Sequence, residues 1–115
     1  MKLKSLPSFR EKKRYLVFRV HSESPLQYFS LKSAIFDSLL DFLGEKGLAE
    51  ANVRLIKNLW SRKGTGFLQT NPPSVDRVKF SLALIHQIGD QKVLFQTLGV
   101  SGTIKGGKRF LKKSA

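Results

Sequence analysis

Over residues 14–21 (Arg-Tyr-Leu-Val-Phe-Arg-Val-His) the chain is rich in β-branched and aromatic side chains, and polar and apolar positions interleave. That pattern predicts a strand with Leu16, Phe18 and Val20 facing a core and Tyr15, Val17 and Arg19 on the opposite side. Ser22 to Pro25 breaks it. Leu31, Ala34, Ile35, Ser38, Leu39, Phe42 and Leu43 then recur at helical spacing, and Gly44 and Gly47 are expected to end that helix. Residues 53–60 predict a second strand, Ser61 to Gly64 a turn, and 64–70 a third strand, the two forming a hairpin. Asn71-Pro72-Pro73 is a stop and Ser74 a helix N-cap, after which Val75, Val78, Leu82 and Ile85 line a second helix. Gly89-Asp90 turns the chain into a last strand over 92–98.

The order β-α-β-β-α-β defines an α/β (α+β) sandwich of the ferredoxin-like kind. It has an antiparallel four-stranded sheet, two helices on one face, and basic extensions at both ends. At 115 residues the chain makes one domain: an N-terminal extension (1–13), the core (14–100) and a basic tail (101–115). Residues 103–112 have the spacing for a short further helix, but Gly106-Gly107 disfavours it by about 1 kcal/mol per glycine relative to alanine.

Charge sharpens this picture. Lys and Arg total 21 against 8 acidic residues, a net charge of +13. Residues 1–20 hold seven of the cations and residues 102–115 another five, with Glu11 the only acid in either segment. Such an excess at two ends points to a polyanion, RNA or DNA, held by its phosphates. With no cysteine there is no disulfide and no thiolate chemistry. No apolar run approaches the ~20 residues of a membrane span, and the N-terminus is too polar for a signal peptide, so a cytoplasmic protein without membrane contact is expected.

The nucleic-acid candidates are Arg10, Lys12, Lys13 and Arg14 at one end and Lys105, Lys108, Arg109, Lys112 and Lys113 at the other. Between strand and tail lies Thr97-Leu98-Gly99-Val100-Ser101-Gly102-Thr103-Ile104-Lys105. There Gly99, Ser101 and Gly102 predict a turn whose glycines take φ > 0 or admit close approach, its free N–H groups suited to an anionic oxygen. Tyr15, Arg19 and Phe67 would share an open sheet face on which bases could stack, although that face carries fewer rings than an RNA recognition motif uses. Trp60 fits core, interface or stacking equally. Catalytic patterns do not emerge. His21 and His86 lack metal-ligand spacing, and Asp37 and Asp41 read as local charge balance on a helix. Gly64-Thr65-Gly66 is not a phosphate loop, and no serine sits in a nucleophile elbow. Neither a protein-bound cofactor nor a protein metal site is expected.

The runs Leu6-Pro7-Ser8-Phe9-Arg10-Glu11-Lys12-Lys13-Arg14-Tyr15, Ile35-Phe36 through Leu43-Gly44-Glu45, and above all Leu98-Gly99-Val100-Ser101-Gly102-Thr103-Ile104-Lys105 resemble the archaeal ribonuclease P protein component 2 family, which shares a family with a eukaryotic subunit of ribonuclease P and ribonuclease MRP. The resemblance implies a ferredoxin-like subunit that binds the catalytic RNA of ribonuclease P, the endonuclease that removes the 5′ leader of precursor tRNA. It further implies that metal ions (Mg²⁺) held by the RNA do the chemistry. It also implies pairing with ribonuclease P protein component 3 and association of two such pairs as a heterotetramer. The reading from the residues alone also admits a standalone RNA-binding or ribosomal-type protein.

Overall fold

The structure is a computed structural model and describes residues 12–61 and 63–113. In chain order the elements are β1 (Arg14–His21), α1 (Tyr28–Ala51), β2 (Arg54–Leu55), β3 (Thr65–Thr70), α2 (Val75–Ala83), β4 (Gln87–Ile88), β5 (Gln91–Lys92), β6 (Leu94–Ser101) and α3 (Ile104–Lys113). Short 3₁₀ turns occupy Lys57–Leu59 and Pro72–Ser74. The main sheet is antiparallel with order β2-β3-β1-β6, so the two central strands are β3 and β1. This is the four-stranded arrangement of a ferredoxin-like α+β fold.

The core forms where α1 and α2 cover one face of that sheet. Leu16, Phe18 and Val20 of β1 pack with Leu31, Ile35 and Leu39 of α1 and Val78 and Leu82 of α2, all essentially excluded from solvent. Each such side chain contributes about 1.5–3 kcal/mol of burial free energy. Phe18 is central, with its ring 5.7 Å from that of Phe95 and 6.5 Å from that of Trp60, which settles Trp60 as a flank of the core. Ser38 donates from Oγ to the Ser81 carbonyl at 2.9 Å and ties the two helices together.

Five features depart from the sequence expectation. First, the helical geometry of α1 does break at Gly44, whose φ of 74° is the left-handed conformation glycine favours, but the helix resumes and runs to Ala51. Gly47 and Ala51 still face the core, and the final carbonyls are answered by β3 and the residue after it. Thr70 Oγ1 and the Asn71 N–H donate to the Ala51 carbonyl at 2.8 and 3.3 Å, and Asn71 Nδ2 donates to the Glu50 carbonyl. Asn52, in the left-handed conformation at φ 49°, turns the chain out of the helix. Phe42 stands 43% exposed beside Phe80, not in the core.

Second, only Arg54–Leu55 of the expected second strand pairs with β3, and the 3₁₀ turn after it carries Trp60 over Phe18. The expected turn is still there and closes the pair: the Gly64 N–H donates to the Ser61 carbonyl at 2.9 Å and the Ser61 N–H to the Thr65 carbonyl at 3.0 Å, so the hairpin stands with its first strand interrupted. Third, Ser74 precedes α2 without a side-chain cap bond; its backbone is already helical, because the 3₁₀ turn at Pro72–Ser74 leads directly into the helix. Fourth, residues 87–92 form a small separate hairpin around Gly89-Asp90, and the last main strand lies at 94–101.

The largest departure concerns the other side of the sheet. The sequence pattern calls for two helices on one face; a third, α3, lies across the second face, against β1 and β6. Ile104, Gly107, Phe110 and Leu111 form its inner stripe, and Gly106-Gly107 does not prevent it. The glycines are what allow close seating. A Cβ at Gly107 would lie 2.6 Å from the Phe67 ring and 3.0 Å from Val17 Cγ2, so only the bare backbone fits there.

Candidate nucleic-acid interface

The site begins with a register irregularity. β1 pairs β6 as Val17↔Gly99 and then Phe18↔Thr97, so Leu98 is one extra residue, a β-bulge. Because side chains alternate with period two, that residue changes which face the end of β6 presents. Phe95 and Thr97 lie opposite the core-facing Val20 and Phe18, and Val100 lies opposite Leu16 and packs against the core. Gly99 and Ser101 fall on the α3 side, opposite Val17 and Tyr15.

Ser101 and Thr103 then start α3. The Thr103 N–H donates to Ser101 Oγ at 3.2 Å, and the Gly106 N–H donates to Thr103 Oγ1 at 3.0 Å, the bond an N-cap threonine makes to the third residue of its helix. These two N–H groups are therefore taken by hydroxyls rather than open to an anion, and the turn serves as a helix cap. Neither Gly99 nor Gly102 has a positive φ. Gly99 is required by close approach, since a Cβ there would come within 2.4 Å of the Phe110 ring. At Gly102 the nearest atom to a Cβ would be the Arg14 guanidinium at 3.8 Å, an ordinary contact, so that position does not demand glycine.

With the inner stripe of α3 seated, Lys105, Lys108, Arg109 and Lys112 follow one another at i, i+3, i+4 and i+7 along its outer side, and all four are exposed. The backbone of Lys113 ends the helix; its side chain and Arg10 lie outside what is described. The pairing Tyr15↔Ser101 brings the start of β1 beside the start of α3. Lys12 and Lys13 are exposed there, and Arg14, which donates to the Lys13 carbonyl at 2.9 Å, extends over Gly102. Two basic segments from opposite ends of the chain thus meet at one end of the sheet.

The open sheet face anticipated for base stacking is absent here. Val17 and Phe67 are fully buried beneath α3, while Tyr15 and Arg19 are partly buried beside it. Phe67 is a seat for the helix, not a stacking platform. His21 is paired to Gln96 (Nε2 to Oε1, 2.8 Å), and among the described residues no three His, Asp or Glu side chains gather as an ion site. Also among the described residues, no helix is long and apolar enough to cross a membrane.

The opposite surface, on the outside of α1 and α2, has a different character that the sequence pattern conceals. Phe29, Leu40, Phe42, Phe80 and Leu84 are each 42–69% exposed, and the Phe42 and Phe80 rings touch with centroids 5.1 Å apart. A groove of about 890 Å³ runs alongside, lined by Phe29, Phe42 and Leu84 together with Asp37, Asp41 and His86. The signal is present in the chain: Phe80 and Leu84 are large apolar residues off the core stripe set by Val75, Val78 and Leu82.

Comparison with known proteins places this geometry. A profile of the Rpp14/Pop5 family matches residues 14–112. Ribonuclease P protein component 2 of Pyrococcus furiosus is 42% identical over 103 residues, covering 90% of this chain and 85% of the relative. That of Thermococcus kodakarensis is 38% identical with the same coverage, and that of Pyrococcus horikoshii is 39% identical over 114 residues, 97% of this chain and 94% of the relative. A chain in the cryo-EM structure of yeast ribonuclease MRP superposes with a TM-score of 0.62 at 15% identity, over 92% of this chain and 89% of that one, a likeness of fold. The sheet flanked by three helices is a small α+β fold shared with that chain. The chain belongs to the Rpp14/Pop5 family, alongside the archaeal ribonuclease P protein component 2 subunits.

Proposed function

We propose that this chain serves ribonuclease P as a non-catalytic protein subunit that grips the enzyme's RNA with α3 and the adjoining start of β1. The observation that supports it most is the Tyr15↔Ser101 register, which gathers Lys12, Lys13 and Arg14 with Lys105, Lys108, Arg109 and Lys112 on one side of the molecule. An RNA catalyst must bring its own phosphates and those of precursor tRNA together, and fixed cations reduce that repulsion. Metal ions held by the RNA supply the hydrolytic nucleophile for removal of the 5′ leader. The protein's share is to fold and neutralise the RNA. On the other side, the apolar outer surface of α1 and α2 around Leu40, Phe42, Phe80 and Leu84, apart from Phe29, is where ribonuclease P protein component 3 docks, because an exposed patch of this kind marks a protein interface. Two such pairs associate as a heterotetramer, which light scattering on the mixed subunits would read out.

The test is a salt titration of RNA affinity. With Lys12, Lys13, Arg14, Lys105, Lys108 and Arg109 changed to Gln, the slope of log affinity against log salt falls by about one for each phosphate no longer neutralised. An unchanged slope means that the RNA is held elsewhere.

A further inference from the structure

A second cationic concavity lies away from α3, and it too bears on RNA. It opens between the first turns of α1, the edge strand β2 and the 3₁₀ turn that follows, with a volume of about 400 Å³. Lys32, Arg54 and Lys57, one from each of these elements, line it with Tyr28, Phe36 and Asn58, and no lining residue is acidic. Lys57 Nζ sits 5.1 Å from the centroid of Phe29 and 5.7 Å from that of Tyr28, two rings set edge to face at 5.5 Å. The Tyr28 hydroxyl donates to the Leu55 carbonyl at 3.3 Å, which fixes that ring at the mouth of the concavity. Phe29 is 69% exposed, so most of its side-chain surface is open to solvent.

Three cations converging without a carboxylate repel one another, and a bound anion relieves that repulsion. The volume falls within the range of small-ligand pockets, enough for one nucleotide. An exposed ring beside clustered cations is the combination that binds unpaired nucleotides: phosphate to the charges, base to the ring. Duplex RNA, with its bases stacked inside, offers no base to that ring. We propose that the Lys32–Arg54–Lys57 concavity is a second RNA site, which takes a single-stranded segment with its phosphate among the three cations and its base on Phe29. This rests on the reading of the chain as an RNA-binding subunit. Because β2 is one edge of the sheet and α3 covers the face opposite α1, an RNA that occupies both sites passes around the β2 edge.

The experiment uses the full chain and a fluorescein-labelled octauridylate, with binding followed by anisotropy across a salt series and contacts mapped by photocrosslinking through 4-thiouridine. The K32Q/R54Q/K57Q variant is expected to weaken octamer binding about tenfold, with a slope smaller by about 0.7, the single-strand value for one phosphate. Wild-type crosslinks are expected at Phe29 or Tyr28 and to disappear in the variant. The K105Q/K108Q/R109Q/K112Q variant, tested on ribonuclease P RNA, reports on the underlying reading: a loss there with an unchanged octamer slope in the first variant overturns the second site alone. Wild-type slope and crosslinks in K32Q/R54Q/K57Q, or a loss confined to component 3 binding, likewise overturns it.

Discussion

Phe110 of α3 lies directly over Gly99 of β6, so close that a single methyl at Gly99 would meet the ring at 2.4 Å. The converse holds one turn earlier, where Phe67 of the sheet lies over Gly107 of the helix at 2.6 Å from its missing Cβ. Ring over glycine in both directions lets helix and sheet approach more closely than two side-chain layers permit. The basic stripe of α3 is held in place by these two contacts.

Gly99→Ala is therefore expected to lift α3 from the sheet, at a cost on the order of 1–3 kcal/mol for overpacking. Thermal unfolding should show a melting point lower by several degrees, with RNA affinity reduced alongside it. An unchanged melting point would show that Phe110 turns aside without loss.

Gly107→Ala sets two effects against each other. Alanine favours the helix by about 1 kcal/mol over glycine, while the new methyl presses on Phe67 and Val17, both fully buried and unable to retreat. The clash is the larger effect, so the variant is expected to be less stable than wild type. By contrast Gly102→Ala, with 3.8 Å to its nearest neighbour, should change stability by no more than ~0.5 kcal/mol. Paired denaturant titrations compare the two.

In the core, Leu39→Ala is expected to cost about 2–5 kcal/mol, because Leu39 is wholly buried between α1 and the sheet. Urea unfolding with an unchanged m-value would confirm a loss of packing rather than a change of mechanism.

Phe80→Ser combined with Leu84→Ser should leave stability within about 1 kcal/mol of wild type, since both side chains are half exposed. The same double variant is expected to lose association with component 3 in a pull-down. Retained association would move the partner to another surface.

For catalysis, the protein alone should leave precursor tRNA intact. Added with component 3 to the cognate RNA, it should lower the Mg²⁺ concentration at which cleavage is half-maximal, because fixed cations take over part of the screening. Cleavage by the protein without RNA would defeat the subunit reading.

Much of this architecture is legible from local pattern. β1 is bounded at Arg14 and His21 because it combines β-branched and aromatic residues with a clear break after it. The basic residues at both ends are identifiable as RNA candidates, but their meeting is not, since it depends on the Tyr15↔Ser101 pairing between distant strands. The third helix is obscured for a physical reason. Glycine propensity is a local cost of about 1 kcal/mol each, whereas the offsetting burial of Ile104, Phe110 and Leu111 emerges only once the sheet face is known to be free. For the same reason Phe67 looks available to RNA until a helix is placed on it. The apolar outer face of α1 and α2 stays hidden because a search for the buried stripe discards whatever falls off it.

The extra residue at Leu98 has a consequence for how such a chain can change over time. It acts as a spare link: deleting Leu98 would close the bulge and leave Thr97 opposite Phe18 and Gly99 opposite Val17, so every side chain keeps its face. A residue inserted between Gly99 and Val100 has no such slack: it would turn Val100 outward and Ser101 inward, taking from α3 the hydroxyl that receives the Thr103 N–H. Substitutions along this strand are graded in effect, whereas the effect of a length change depends on its sign and its place. Relatives that keep a seated third helix should therefore tolerate loss of the extra residue at Leu98 but not an unpaired insertion after Gly99.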